Sequence, residues 1–191
     1  MTTKDFKILI ADNDRLILDV IKSLLSKEGY AVALANDGFD ALRILKTEDV
    51  RLVLTALKMS GVNGIEILKY ALRVNPDIAV VILTTFGDLE ATLQAVKEGA
   101  YDYLTKPFKA EEIAFLVEKA YKRSILINEN RELLRNLRDT YQDMEVIKTA
   151  AESNNPDITL GMIERMERLR TMNVLTTQEV EILKERLVKG V

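Results

Sequence analysis

Two hydrophobic rhythms alternate along the first two-thirds of the chain. Short β-rich or continuous apolar runs occur at residues 7–11 (KILIA), 30–34, 52–55, 79–83 (AVVIL) and 101–105. Each has the length of a strand, and the continuous ones read as strands buried on both faces. Between the runs, apolar residues recur three and four apart. Leu16, Ile17, Val20, Ile21, Leu24 and Leu25 form the first such set, closed by Gly29. Phe39, Leu42 and Leu45 mark a second helix, and Ile65, Leu68 and Leu72 a third, broken by Asn75-Pro76-Asp77. Leu89, Leu93 and Val96 mark a fourth, ended by Gly99, and a fifth begins near Ala110 with Glu111 and Glu112 in its first turn. Five strands alternating with five helices predict an α/β fold with a doubly wound parallel sheet.

The fifth helix has no stop signal where such a domain ends. No Gly or Pro interrupts residues 110–155, and a helix over about 110–151, about 60 Å long at 1.5 Å per residue, is expected. Ile127, Asn130, Leu134, Leu137, Tyr141, Met144, Lys148 and Ala151 follow at alternating spacings of three and four. This stripe either folds back on its own domain or tail, or pairs with a second chain as a two-stranded coiled coil in which Asn130 and Lys148 set the register. A homodimer through Ile127, Leu134, Leu137, Tyr141 and Met144 is the sharper expectation.

A break follows at residues 153–157. Leu160, Ile163, Met166, Leu169 and Met172 then line a short helix, with Asn173 suited to the left-handed position after it. Thr176-Thr177-Gln178-Glu179 has the form of a capping box, and Val180, Leu183 and Leu187 line a final helix. The expected organisation is a domain over residues 1–119, a helical extension over 120–152 and a helical hairpin over 153–191. The hairpin, at about 35 residues, is too small to be stable alone.

Composition narrows the chemistry. The 191 residues carry a net charge of −3, with 48% hydrophobic and 30% charged residues, as in an ordinary soluble protein. The charge argues against broad binding to nucleic acid or anionic membrane. With no cysteine and no histidine, thiolate chemistry, disulfides, imidazole ligands and phosphohistidine are excluded. The opening MTTKDFKILIADND lacks the pattern of a signal peptide and no long apolar span follows, so a cytoplasmic, non-membrane protein is expected.

In a parallel sheet, sites form past the carboxyl ends of strands. The stretch RLVLTALKMSGVNG, residues 51–64, leaves its strand at Ala56, whose methyl group offers no acid, nucleophile or ligand. Thr55 faces the other side of the sheet and is no substitute. No catalytic residue is expected, and the chain does not read as an enzyme.

The stretches KILIADND, LVLTALKMSGVNG, VVILTTFG and GAYDYLTKPF occur in the order and at the distances of the response-regulator receiver domain of bacterial two-component signalling, which residues 4–119 resemble. The resemblance implies a flavodoxin-like sheet of strand order 2-1-3-4-5. It also implies a phosphoryl group taken from a histidine kinase onto an aspartate after the third strand, with Mg²⁺ as cofactor. On this chain Ala56 stands at the phosphoacceptor. Asp12 matches the first metal-binding acid, and Asn13 stands at the second. Lys58 would supply a backbone carbonyl, Thr84 the hydroxyl and Lys106 the lysine that holds phosphoryl oxygens, followed by Pro107 with its usual cis bond. Ser60 replaces a common proline. Tyr103 matches the switching aromatic and, with Phe108, marks the face used for partner contacts. The tail hairpin resembles the short C-terminal (SHOCT-like) domain, which implies oligomerisation or partner contact.

Without an acceptor oxygen, aspartyl phosphorylation cannot occur at residue 56. Asp12 alone, with Asp14 nearby, makes a weak metal site or none. The expected function is therefore signalling by protein–protein contact, independent of phosphorylation, with a histidine kinase or a downstream signalling protein as partner. One alternative is a phosphoryl-accepting regulator whose aspartate has been changed to Ala56, and only then is Mg²⁺ expected. DNA binding through the hairpin is a minor alternative, since its acids and bases balance.

Overall fold

A computed structural model describes residues 2–85, 89–153 and 159–189. The chain forms two compact units, Met1–Ile127 and Asn128–Val191. In the first, after a single 3-10 turn, come β1 (Lys7–Ala11), α1 (Arg15–Lys27), β2 (Ala31–Ala35), α2 (Gly38–Thr47) and β3 (Val50–Ala56). They are followed by α3 (Gly64–Val74), β4 (Ala79–Thr85), α4 (Leu89–Lys97), β5 (Asp102–Lys106) and the start of α5 (Ala110–Ser153). The strands form one parallel sheet in the order β2-β1-β3-β4-β5, the order that the resemblance to receiver domains implies. The expected strands differ at their ends: β2 and β5 lie one residue later than the apolar runs, β3 starts two residues earlier and ends one later, and β4 runs two residues further.

Alternation along the central strands sends side chains into two cores. Ile8, Ile10, Leu52, Leu54, Val81 and Leu83 pack with Leu18, Ile21 and Leu25 of α1 and Ile113, Leu116 and Val117 of α5. Leu9, Val53, Val80 and Ile82 pack on the other face with Ile44 and Leu45 of α2, Ile67 and Leu68 of α3 and Ala95 of α4. Helix starts follow from side-chain caps. Asp14 accepts from the Leu16 amide at 2.9 Å and Asp37 from Asp40 at 2.8 Å. Asn63 accepts from Ile65 and Glu66, both at 3.0 Å, while Glu66 accepts in return from the Asn63 amide at 2.8 Å.

The helix faces differ from the apolar count at three places. Leu16 and Val20 of α1 are exposed, and the core takes Leu18, Ile21 and Leu25 instead. Leu93 and Val96 of α4 are exposed, and the small residues Thr92 and Ala95 are buried. Phe39 is exposed because its ring lies over Gly61, where a Cβ would come within 2.4 Å of Phe39 Cε2. Phe108, in the loop before α5, is partly buried against the α1–α5 core.

In the second unit, the remainder of α5 is followed by α6 (Thr159–Thr171) and α7 (Thr177–Lys189). Ile147 of α5, Met162, Met166 and Leu169 of α6 and Val180 of α7 form its core, with Leu175 and Leu183 packed on it. Met162 thus takes the place that the stripe assigned to Ile163, and Met172 is exposed. Asn173 has φ +57°, in the left-handed region. The capping box is formed: Glu179 accepts from the Thr176 amide at 2.8 Å and its hydroxyl at 2.7 Å, and Thr176 Oγ1 accepts from the Glu179 amide at 3.2 Å. Phe86, Gly87 and residues 154–158 lie outside the described residues, as do the side chains of Lys148, Ala151, Leu160 and Leu187. Among the described residues, no helix is long and apolar enough to cross a membrane.

Candidate functional site

The carboxyl ends of β1, β3, β4 and β5 bring Asp12, Ala56, Thr84 and Lys106 to one end of the sheet. The register places Ala11 beside Thr55, Ala56 beside Leu83, and Thr85 beside Lys106. Asp12 follows β1 directly and is fully buried. Both of its carboxylate oxygens are engaged. Oδ1 accepts from the Asp14 amide at 3.0 Å, and Oδ2 accepts from Lys106 Nζ. Lys106 is itself largely covered, with 19% of its side chain exposed, so this is an internal ion pair rather than a surface one.

Ala56 is buried at the end of β3. The turn after it is closed by two backbone bonds: Leu57 donates to the Leu83 carbonyl at 2.8 Å, and Gly64 donates to the Leu57 carbonyl at 2.9 Å. Gly64 sits so close that a Cβ there would lie 2.4 Å from the Ala56 carbonyl oxygen. Thr55 is buried with its hydroxyl donating to the Ala56 carbonyl at 3.2 Å. Thr84 is buried and donates weakly to the Thr85 carbonyl at 3.4 Å. Asn13 and the Lys58 side chain are exposed. The Lys106–Pro107 bond is cis.

A divalent cation of the Mg²⁺ kind takes oxygen ligands with at least one carboxylate free to bind it. Here Asp12 is held by Lys106 and by the Asp14 amide, Asp14 caps α1, and residue 56 has no oxygen on its side chain. Among the described residues, no three acidic side chains are grouped to hold a metal. The side chains present do not fit the cation.

Beside this pocket lies a second feature on β5 and α5. Tyr103 is 49% exposed and faces outward. With Leu104, Glu111, Glu112, Phe115 and Leu116 it lines an open apolar slot. Phe115, itself exposed, escaped the sequence reading because it lies off the buried line of Ile113, Leu116 and Val117. Ile127 is half-buried, whereas Leu134, Leu137, Tyr141 and Met144 are exposed. The hairpin covers a different line of α5: Ile147 enters its core, and Asp143 accepts from Arg168 at 2.5 Å with Arg165 at 3.6 Å. Lys184 and Arg170 both pair with Glu167, so these hairpin cations are matched by acids.

The family model for the response regulator receiver domain matches residues 8–118. The C4-dicarboxylate transport transcriptional regulatory protein DctD of Rhizobium meliloti (strain 1021) is 28% identical over 178 residues, 92% of this chain and 36% of that protein. The transcriptional regulatory protein ZraR of Escherichia coli (strain K12) is 38% identical over 120 residues, 63% of this chain and 27% of that protein. The chain thus spans about a third or less of the length of these curated relatives. Among solved structures, a response regulator receiver domain protein from Clostridium thermocellum aligns with TM-score 0.61 and 36% identity, covering 64% of this chain and 98% of that one. NtrX from Brucella abortus aligns with TM-score 0.62 and 28% identity, covering 78% of this chain and 35% of that one.

Proposed function

Since the chain belongs to the response-regulator receiver family over residues 8–118, we propose that it acts in two-component signalling by contact alone, without accepting a phosphoryl group. The observation that carries this reading is the pocket itself. Ala56 supplies no nucleophilic oxygen, and the ammonium that would steady a transferring phosphoryl group is held by Asp12. Phosphoryl transfer needs both an acceptor oxygen and charge stabilisation around the moving group. In this reading the pocket serves as a fixed internal brace.

The contacts are assigned to two surfaces. The slot around Tyr103 takes a protein partner, either a histidine kinase or a downstream signalling protein. The stripe of α5, with half-buried Ile127 and exposed Leu134, Leu137, Tyr141 and Met144, forms a homodimer contact. The hairpin, which resembles a SHOCT-like domain, adds an oligomerisation or partner surface. Incubation with acetyl phosphate and Mg²⁺, followed by intact-mass measurement, tests the reading. The expected mass is unchanged, and one added phosphate overturns it.

A second reading is favoured by the intact backbone around residue 56: a phosphoryl-accepting regulator in which an aspartate has been replaced by Ala56. The Leu57–Gly64 turn, the cis Lys106–Pro107 bond and the buried Thr84 keep the outline of a receiving pocket. The Ala56→Asp variant separates the two. If it gains phosphate and changes oligomeric state, the second reading stands; if it stays inert, the pocket has lost more than one oxygen.

A further inference from the structure

The sequence holds one Asn-Gly pair, Asn63–Gly64, at the start of α3. In an open chain such a pair readily loses ammonia, because glycine carries no side chain to shield its backbone nitrogen. Asn13 and Asn36, also exposed, precede Asp14 and Asp37, whose side chains and charge hinder the same attack. Both members of the pair are set by the fold. Position 63 caps α3, which calls for Asn, Asp, Ser or Thr. Position 64 must be glycine, since a Cβ would lie 2.4 Å from the Ala56 carbonyl oxygen. The labile pair is therefore built into the corner that follows β3.

Loss of ammonia needs three conditions at once. The Gly64 nitrogen must be free to lose its proton, it must swing onto Asn63 Cγ, and water must reach the site. Only the last is met, since Asn63 is exposed. Gly64 is buried, and its nitrogen donates to the Leu57 carbonyl at 2.9 Å. The Asn63 carboxamide is drawn over the first turn of α3, where Oδ1 accepts from the Ile65 and Glu66 amides, each at 3.0 Å. The Asn63 amide in turn donates to Glu66 Oε2 at 2.8 Å. The two reacting groups meet only when these bonds open.

We propose that Asn63 is a site of spontaneous deamidation gated by the capping box of α3, closed while the box is formed and open when the start of the helix opens. In the first step the Gly64 nitrogen gives its proton to solvent hydroxide and bonds to Asn63 Cγ. The carboxamide nitrogen takes up a proton and leaves as ammonia. Water then opens the five-membered imide on either side. One product is aspartate, which still caps the helix and places negative charge at its N-terminus, where the macrodipole favours it. The other is isoaspartate, whose main chain runs through the side-chain carbon and is longer by one atom. That product cannot hold Gly64 both on the Leu57 carbonyl and clear of the Ala56 carbonyl, so the corner does not re-form. A chain that has opened here carries a permanent mark. This gating does not depend on whether the pocket accepts phosphate.

The test uses the full chain at about pH 8.5, folded and in guanidinium chloride. Peptides are mapped by mass for the gain of about 1 Da that replaces an amide by an acid, and isoaspartate is separated by chromatography. In denaturant, Asn63 should convert ahead of every other asparagine. In the folded chain its conversion should be at least about tenfold slower, a factor set by the opening equilibrium of the helix start. Glu66→Ala changes an exposed side chain and removes the acceptor of the Asn63 amide. It should speed conversion in the folded chain about fivefold, as the loss of a cap does. Amide exchange at Gly64 should rise in step. Equal rates in the folded and unfolded chain, another asparagine reacting first in denaturant, or an unchanged rate in Glu66→Ala overturns the proposal. So does conversion that outpaces release of the Gly64 amide.

Discussion

Lys106 reaches across 94 positions of sequence to close on Asp12, and the two charges neutralise each other beneath the end of the sheet. Breaking such a pair on one side leaves a buried charge without compensation. Lys106→Met is expected to cost about 3 kcal/mol of stability. The double variant Asp12→Asn with Lys106→Met should recover most of that loss, because neither charge then remains. Urea denaturation of the two variants and the parent, compared at constant slope, checks both expectations.

Gly64 is expected to tolerate no side chain. Its Cβ would press on the Ala56 carbonyl, a backbone atom that cannot swing aside. Gly64→Ala should destabilise the first unit by about 1–3 kcal/mol, as overpacking does, and should perturb the amide signals of Ala56 and Leu57 first. Denaturation and amide spectra together distinguish this from a remote effect.

Alkaline pH should weaken the packing of α5 against β1 and β2. Tyr30 meets Phe6 and Tyr121 edge-to-face, with centroids 6.0 Å away in each case. Burial, reinforced by the charge of Glu28, pushes its phenol above the ordinary value of 10.0. The folded state therefore favours the neutral ring. That stability is complete below about pH 10 and is lost as pH rises from there through the folded value. Tyr30→Phe should flatten this alkaline decline, measured by denaturation midpoints between about pH 9 and pH 11.

Acid should act on the second unit. The Thr176 amide, then its hydroxyl, hold Glu179 below the usual carboxylate range, and the hydrogen bond from Lys184 does the same for Glu167. Stabilisation from a lowered carboxylate is complete above its unfolded value of about 4.5 and is lost as pH falls through the folded one. Hydrogen-exchange protection of the Val180 amide, which donates to the Thr176 carbonyl at 3.1 Å, should therefore fall on acidification. In Glu179→Gln it should start lower and change less with pH.

The alternation of strand and helix periods was enough to anticipate the parallel sheet and the long α5, because each depends on local spacing, whereas the strand order came from the resemblance to receiver domains. The inward face of α4 was not legible. Its buried line is Thr92 and Ala95, whose small side chains carry little hydrophobic signal, while the larger Leu93 and Val96 point outward. Phe39 misled for a related reason, since its ring covers Gly61 in another loop instead of entering the core. At the pocket, the motifs located Asp12, Ala56, Thr84 and Lys106. Spacing along the chain could not reveal that Asp12 has both oxygens engaged, because one partner is the amide of Asp14 and the other arrives from β5. Met162 replaced Ile163 in the hairpin core by a shift of one residue, which a stripe of mixed Leu, Ile and Met cannot fix.

Only a hydrogen atom fits between Gly64 and the carbonyl of Ala56. The main-chain mould at this corner is therefore set by the glycine and does not depend on what residue 56 carries. An aspartate placed at residue 56 would meet the same turn, so the Ala56→Asp variant reads out side-chain chemistry alone.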